Sequence, residues 1–152
     1  MNITPLTKED LKPALDLIMD VFMEFEAPEY SEEGINEFKT FNRYEDVVSK
    51  FEKGELCFWG CRIDDRLAGV IAVRDISHIC LLFVRKEYHR RGIARALFNQ
   101  VLGSCQSRGD VSKITVNSSP YAVNAYHRLG FVDTNTEQTV NGIRFTPMEY
   151  HL

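Results

Sequence analysis

Residues 84–97 carry the strongest structural signal in the chain: they read Val-Arg-Lys-Glu-Tyr-His-Arg-Arg-Gly-Ile-Ala-Arg-Ala-Leu. A run of β-forming residues, 79–84, ends where this stretch begins, and a basic turn around Gly92 follows. Apolar residues then recur at helical spacing, at Ile93, Ala94, Ala96, Leu97, Val101 and Leu102. The pattern predicts a strand, a basic glycine turn and a helix in direct succession.

This succession is typical of a phosphate site. The first turn of a helix leaves four N–H groups unpaired, and the helix dipole adds partial positive charge there. Gly92 has no Cβ, so the backbone can approach an anion closely. The same residues also fit a solvated basic turn before a surface helix. The spacing matches neither the Gly-x-x-x-x-Gly-Lys-Ser/Thr phosphate loop nor the Gly-x-Gly-x-x-Gly dinucleotide motif.

Length and composition indicate one globular domain spanning residues 1–152. Hydrophobic residues make up 44% of the chain, which is enough for a core. The net charge of −4 argues against a general nucleic-acid binder, so the basic cluster is a local feature. No apolar run has membrane-spanning length, and residues 1–5 lack the basic and apolar regions of a signal peptide. We expect a cytoplasmic protein without nucleic-acid or membrane partners.

The four cysteines show no metal-binding pattern. They stand at positions 57, 61, 80 and 105, with no Cys-x-x-Cys pair and no histidine at zinc-ligand spacing. We expect small core or half-buried thiols in a reducing compartment, and no metal site.

The remaining patterns predict a mixed α/β domain. Thr7 is a suitable helix cap, and Ala27-Pro28 ends the helix that follows it. Asn141-Gly142 predicts a hairpin turn. The predicted helices are 7–25, 31–40, 45–53, 92–107 and 119–129, and the predicted strands are 2–4, 56–63, 67–74, 76–84, 111–117, 131–136 and 143–150.

A second motif lies in residues 117–131, which read Asn-Ser-Ser-Pro-Tyr-Ala-Val-Asn-Ala-Tyr-His-Arg-Leu-Gly-Phe. The segment Ala122-x-x-x-Tyr126-x-x-x-Gly130-Phe131 follows a predicted strand directly. It resembles motif B of the GCN5-related N-acetyltransferase (GNAT) family.

The basic turn, His89 to Ala94, resembles motif A of the same family, Gln/Arg-x-x-Gly-x-Gly/Ala. Its first position departs from the pattern, because His89 stands where the family has Gln or Arg. Ser119 also stands where many relatives carry an asparagine as a helix cap that touches the cofactor, and we expect the serine to cap the helix equally well. The resemblance covers essentially the whole chain and is strongest between about residues 55 and 131.

The resemblance implies a mainly antiparallel, twisted sheet flanked by helices, with two strands splayed at the cofactor site. It implies acetyl-CoA as donor, with its pyrophosphate on the amides of residues 90–95 and its pantetheine arm beside residues 82–84. An amide of Phe83 or Val84 would polarise the thioester carbonyl. The implied cofactor contacts are Leu82, Phe83, Val84, His89, Arg90, Arg91, Gly92, Ile93, Ala94, Arg95 and Ser119.

The resemblance also implies catalytic roles. Tyr126 matches the tyrosine that protonates the leaving thiolate, whereas Tyr121 is expected to pack; without the motif, both would be interpreted as packed aromatics. The family has no universal base. His78 and the pair Glu24 and Glu26 are candidates, and the two glutamates should point to different helix faces.

Residues 24–33 contain five glutamates beside two aromatic residues. This stretch predicts either a rim over the acceptor cleft that favours a cationic amine, or solvated loop charge. The expected function is acetyl transfer to a small-molecule or peptide primary amine by direct attack in a ternary complex. A non-catalytic acyl-CoA-binding or regulatory module is the alternative. A homodimer is compatible with such a fold, although the sequence does not determine the assembly.

Overall fold

The computed structural model describes all 152 residues as one open sheet flanked by five α-helices. Short turns of other helical pitch cover Lys8–Asp10, Phe22–Glu26, Ala27–Glu29, Lys86–Tyr88 and Pro120–Ala122. The helices are α1 (Leu11–Val21), α2 (Glu32–Phe41), α3 (Tyr44–Glu52), α4 (Ile93–Arg108) and α5 (Val123–Leu129), and the strands are β1 (Asn2–Pro5), β2 (Leu56–Ile63), β3 (Arg66–Arg74), β4 (His78–Val84), β5 (Lys113–Ser118), β6 (Val132–Asp133), β7 (Gln138–Val140) and β8 (Ile143–His151).

The sheet confirms the predicted fold class. Its strand order is β1-β2-β3-β4-β5-β8-β6, with β7 paired to β8, and only β4 and β5 run parallel. One apolar core lies between the sheet and α1, and a second lies under α4 on the opposite face. The two cores place the ends of β4 and β5 between two layers of helices.

The parallel pair β4–β5 separates soon after it begins. The two strands pair only at His78 with Thr115 and at Ile79 with Val116. From residue 80 onward β4 keeps β3 on one side but has no strand on the other. The sheet therefore opens a gap between the second half of β4 and β5.

A bulge in β4 sets which backbone groups face this gap. The register with β3 shifts between Ala72 and Val73, which leaves Cys80 as an extra residue in β4. Beyond the bulge, the Arg85 N–H donates to the Ala68 carbonyl of the β3 side at 2.8 Å. Because the N–H and C=O groups of successive strand residues alternate in direction, Phe83 also faces β3, whereas Leu82 and Val84 face the gap.

The turn between β4 and α4 forms as the sequence predicts. Gly92 precedes α4 in the left-handed region, at φ 77°, and Gly109 ends the helix at φ 78°. Arg90 also has a positive φ, 63°, which is uncommon for a residue with a side chain. Two left-handed residues so close together fold the chain tightly above the end of β4.

Two segments differ from the sequence prediction. The first long helix is α-helical only to Val21, and residues 22–26 then form a wider π-helical turn in which the Ala27 N–H donates to the Phe22 carbonyl. The predicted strand 131–136 shrinks to Val132–Asp133. Its next residue, Thr134, donates to the carbonyl of Pro147 at 2.9 Å, but proline has no N–H to return the bond, so the ladder ends.

The hairpin turn at Asn141-Gly142 is confirmed, with φ of 51° and 79°. The strand that enters it is β7 rather than 131–136, with Val140 opposite Ile143. The β7–β8 hairpin leans on α2, where Gly34 and Gly142 meet backbone to backbone. It thereby joins the C-terminal strands to the helical segment that follows α1.

Candidate functional site

A cavity of about 640 Å³ occupies the gap between β4 and α5. Its walls come from the end of β4, the turn before α4, α5 and the π-helical turn. Among the predicted cofactor contacts, only Arg91 and Ser119 do not line it. The residues that line it include Phe25, Glu26, Leu82, Val84, His89 and Tyr126.

One wall of the cavity is the open edge of β4. The N–H and C=O of Leu82 and the N–H of Val84 face the gap without a strand partner. The Val84 carbonyl accepts a hydrogen bond from His89 Nε2 at 2.7 Å. Phe83 lines the cavity, but its amide is directed to β3 and is not available to a ligand. Of the two amides predicted to polarise a carbonyl, those of Phe83 and Val84, only the Val84 amide faces the gap. The Leu82 amide, which was not predicted for this role, faces the gap as well.

The start of α4 forms the anion-binding end of the cavity. No side chain caps the helix, and the first helical bond within it runs from the Ala96 N–H to the Gly92 carbonyl. A Cβ added at Gly92 would meet nothing within 4 Å, so the space above the amides is open. Uncapped N–H groups with basic neighbours fit a phosphate group.

The neighbouring arginines differ in their surroundings. The Arg95 guanidinium donates to the Arg128 carbonyl at 2.9 Å, which ties α4 to the end of α5. Arg91 lies over the ring of Tyr88, with its guanidinium carbon 5.6 Å from the ring centroid, and does not itself line the cavity. Arg90 is exposed and lines the cavity.

Tyr126 projects from α5 into the cavity and is 6% exposed. Its ring packs edge-on against Phe131 at 5.3 Å. No protein group hydrogen-bonds its hydroxyl, and every fully buried side-chain N or O atom in the protein has a partner, so this oxygen reaches the cavity. Burial raises the pKa of Tyr126 above its ordinary value of 10.0, and Glu26 raises it further. The hydroxyl is therefore protonated at neutral pH.

Glu26 is the one carboxylic acid among the residues that line the cavity. The π-helical turn directs Glu24 outward, where it pairs with Lys86 at 3.3 Å, and directs Glu26 into the cavity. This confirms that the two glutamates face different ways. No cation pairs with Glu26. Burial raises its pKa to about 7, and Glu29 adds to the shift, while the nearby Ser119 hydroxyl opposes it.

His78 lies away from this constellation. It begins β4, where Nδ1 shares a hydrogen bond with Thr115 Oγ1 at 2.8 Å. It does not line the cavity, and the strand rise places it roughly 10–13 Å from Leu82. Burial, together with the neighbouring positive charge of Arg74, lowers the pKa of His78 to about 4. The structure does not bring this histidine together with Tyr126.

Ser119 is buried and serves as a cap. Its hydroxyl accepts from the Ala122 N–H at 3.3 Å, and Pro120 occupies the first position of the turn that leads into α5. The predicted capping role is confirmed by this geometry. Tyr121, two residues later, is 47% exposed at the mouth of the cavity.

The predicted acidic rim is only partly assembled at the cavity. Glu26 lines it, whereas Glu29, Glu32 and Glu33 are exposed outside the lining. The segment around Glu29 is held by Arg144 of β8, which donates to the Glu29 carbonyl at 3.0 Å and forms two bonds with Glu137. Sequence reasoning missed this clamp, since nothing local links residue 144 to residue 29.

No group of three or more His, Cys, Asp or Glu residues is arranged to hold a metal ion. None of the helices combines the length and the apolar character that a membrane crossing requires.

Comparison with solved structures places the fold among acetyltransferases. A GCN5-related N-acetyltransferase from Rhodopseudomonas palustris superposes with a TM-score of 0.85 at 19% identity, covering 99% of this chain and 95% of the other. The PaiA N-acetyltransferase from Thermoplasma acidophilum, in complex with coenzyme A, gives 0.82 at 19% identity over 100% of both chains. An aminoglycoside 6′-N-acetyltransferase complexed with coenzyme A gives 0.70 at 15% identity, over 99% and 97%.

Among curated proteins, the UPF0157 protein YqkA of Bacillus subtilis (strain 168) is 28% identical over 104 residues. The match covers 66% of this chain and 29% of YqkA, so the chain corresponds to a minor part of that relative. The family model described as an acetyltransferase (GNAT) domain matches residues 26–152. Because that match takes in most of the chain and the sheet has the same architecture, this protein belongs to the GNAT acetyltransferase family.

Proposed function

We propose that the protein transfers an acetyl group from acetyl-CoA to a primary amine by direct attack in a ternary complex. The observation that carries the proposal is one cavity that holds four elements together: the gap-facing amides of β4, the uncapped start of α4, the Tyr126 hydroxyl and the Glu26 carboxyl. The CoA complexes of two structural neighbours support an acyl-CoA ligand.

The residues present fit this donor. The amides at the start of α4, with Arg90 beside them, would hold the pyrophosphate, since Gly92 leaves the approach open. Leu82 and Val84 would bond to the amides of the pantetheine arm as a neighbouring strand would. The bound donor would supply a thioester carbonyl that an amine can attack.

Three groups would share the chemistry. The Leu82 or Val84 N–H would donate to the thioester oxygen as negative charge grows there. Glu26, as carboxylate, would take a proton from the acceptor nitrogen as the N–C bond forms. Tyr126 would give its proton to sulfur as the C–S bond breaks. The acetylated amine and the free thiol are the products, and return of the proton from Glu26 to the Tyr126 oxygen would regenerate both groups.

The closeness of Glu26 and Tyr126 gives the two proton transfers an order. The Glu26 charge raises the pKa of Tyr126, because a second negative charge beside it is unfavourable. Once Glu26 has taken a proton from the amine, this repulsion disappears and Tyr126 becomes a better acid. Proton uptake by Glu26 would therefore make proton donation by Tyr126 easier within the same turnover.

The acceptor is proposed to be a small-molecule or peptide amine. The carboxylates of Glu26 and Glu29, on the turn and the segment after it, would attract an ammonium group toward the cavity, and its nitrogen would release one proton to water before it attacks as a neutral amine. The proposal also includes a cytoplasmic location, a homodimer and a single-domain organisation.

Replacement of Tyr126 by Phe tests the proposed chemistry. We expect turnover to fall roughly a hundredfold or more, with acetyl-CoA affinity kept, because the lost hydroxyl serves the leaving group and not binding. Thiol release across a panel of amines measures turnover, and calorimetry measures affinity.

Tyr121→Phe is the matched control, since Tyr121 also lines the cavity but is about half exposed at its mouth. Equal turnover in wild type and Tyr126→Phe would remove Tyr126 from the reaction. Binding of acetyl-CoA without transfer to any amine would favour the non-catalytic acyl-CoA-binding module.

A further inference from the structure

The π-helical turn, residues 22–26, runs across the opening between β4 and β5; we call this turn the strap. It follows α1, which packs on β3 and β4, and it reaches the Pro120–Ala122 turn that follows β5. Both Phe25 and Glu26 line the cavity. The strap therefore covers a groove that would otherwise be open to solvent along its length.

Phe25 is the residue of the strap that contacts both walls. Its ring centroid lies 5.2 Å from that of His89, which belongs to the wall formed after β4. It lies 5.3 Å from that of Tyr121, which belongs to the opposite wall before α5. These are ordinary distances for packed aromatic rings. Phe25 thus bridges the groove.

Further contacts hold the strap and its β4-side wall in place. Glu24 pairs with Lys86 of the loop after β4 at 3.3 Å. His89 is itself fixed, because Nε2 donates to the Val84 carbonyl at 2.7 Å. The wider π-helical pitch lets consecutive residues serve different partners, with Glu24 outside and both Phe25 and Glu26 inside.

A ligand that lies in this groove must be thin where it passes beneath Phe25. Acyl-CoA has such a shape, with a narrow pantetheine arm between a bulky anionic nucleotide and a small acyl group. The nucleotide end is too wide to pass beneath Phe25, so it stays outside the bridge while the arm passes beneath it with the small acyl group leading.

We propose that the strap retains acyl-CoA by closing over its pantetheine arm, with Phe25 as the positioning residue that completes the closure. This inference rests on the proposed function for the identity of the ligand. It assigns to Phe25 a contact with the arm alone, since the nucleotide half binds at the start of α4, outside the bridge.

The test compares CoA with 3′-phospho-ADP, the half of CoA that lacks the arm, on the purified protein. Phe25→Ala should raise the Kd of CoA about tenfold and speed its dissociation by a similar factor. The Kd of 3′-phospho-ADP should change less than about twofold. Phe25→Leu should restore most of the CoA affinity, because an apolar side chain of similar length still covers the arm.

Phe41→Ala is the matched control, since Phe41 is 59% exposed on α2 and lies outside the cavity. Thermal melting checks that every variant is folded. Equal weakening of both ligands would overturn the inference, because it would show a general disturbance of the site, and so would unchanged CoA binding in Phe25→Ala. Wild-type protein that binds CoA but acetylates no amine would instead overturn the proposed function and leave the strap standing.

Discussion

At the scale of single residues, Glu26 combines two properties that rarely coincide: it is a carboxylate, and burial raises its pKa to about 7. An ordinary glutamate would be ionised throughout the neutral range and would be a weak base. A carboxyl whose pKa lies near the working pH is a more effective proton acceptor, because its basicity is higher while a useful fraction remains ionised. The sequence placed Glu26 only among three candidates, because burial depends on the π-helical turn.

The pH dependence of catalysis tests this role. We expect kcat/KM to rise with pH through about 7, as Glu26 loses its proton and becomes able to accept one from the amine. Glu26→Gln should remove this limb and lower the plateau roughly a hundredfold. Steady-state assays between pH 5.5 and 8.5 measure both effects. A limb of the same midpoint in the variant would show that another group titrates.

At the scale of elements, the best-predicted parts are those whose signals are local. The turn before α4 needs Gly92 for its left-handed φ, and α4 shows its apolar spacing directly. The strap gave no such signal, since a π-helical turn has no distinct composition and Pro28 only marks where it ends. The early end of β6 depends on Pro147, which lies in another strand. The strap was therefore missed because it has no local sequence signal, and the length of β6 was mispredicted because it depends on a residue in another strand.

The contact between α2 and the β7–β8 hairpin yields a prediction at this scale. A methyl group at Gly34 would collide with the Gly142 backbone, which cannot move aside as a side chain can. Gly34→Ala should lower the free energy of unfolding by about 1–3 kcal/mol. It should also raise KM for the amine while leaving CoA affinity unchanged, because the hairpin supports the segment around Glu29 and not β4.

Urea unfolding and steady-state assays measure the two effects. Gly103→Ala is the matched control, because Gly103 lies within α4 and has nothing within 4 Å of an added Cβ. That variant should be as stable as wild type or more so. A Gly34→Ala protein with unchanged stability would show that the hairpin tip is free to move away.

At the scale of the whole molecule, the sequence predicted the structure of the side where CoA is proposed to bind, the CoA side, far better than that of the proposed acceptor side. The CoA side is built from two continuous segments, 82–95 and 119–130, and the local sequence of each segment predicts its strand, turn and helix. The acceptor side joins residues around 29 to Arg144 and Gly34 to Gly142, more than 100 positions apart in each case. No sequence pattern within either segment predicts such a distant partner, so the acceptor side could be described only from the structure.

The free energy of unfolding should depend on pH through the protonation of Glu26. Its pKa is about 7 in the folded protein against 4.5 for the ordinary group, so between these values the folded state keeps a proton that the unfolded state has lost. Its contribution therefore favours folding less as pH rises through this window. Glu26→Gln should gain about 1–3 kcal/mol over wild type at pH 8 and little near pH 4.

Urea unfolding at both pH values measures the difference in unfolding free energy between the variant and wild type. Taking this difference cancels the pH effects of all other groups, which the two proteins share. Glu24→Gln is the matched control, because Glu24 lies on the same turn but points outward to Lys86. An equal stability gap at pH 4 and pH 8 would contradict a buried, proton-holding Glu26.

The extra residue at Cys80 has a consequence for how this chain can change in length. Loss of Cys80 itself would leave Ile79 opposite Val73 and Leu81 opposite Ala72 in a regular ladder, so the later residues of β4 would keep their directions. Loss of one residue between Leu81 and Val84 would instead shift the end of β4 by one position, so that amides now facing the gap would face β3 and the reverse. A deletion of one residue in the Asp64-Asp65 turn, by contrast, would alter only a hairpin tip. Homologous chains should therefore vary freely in length at such tips, while the count of residues between Leu81 and Gly92 stays constant.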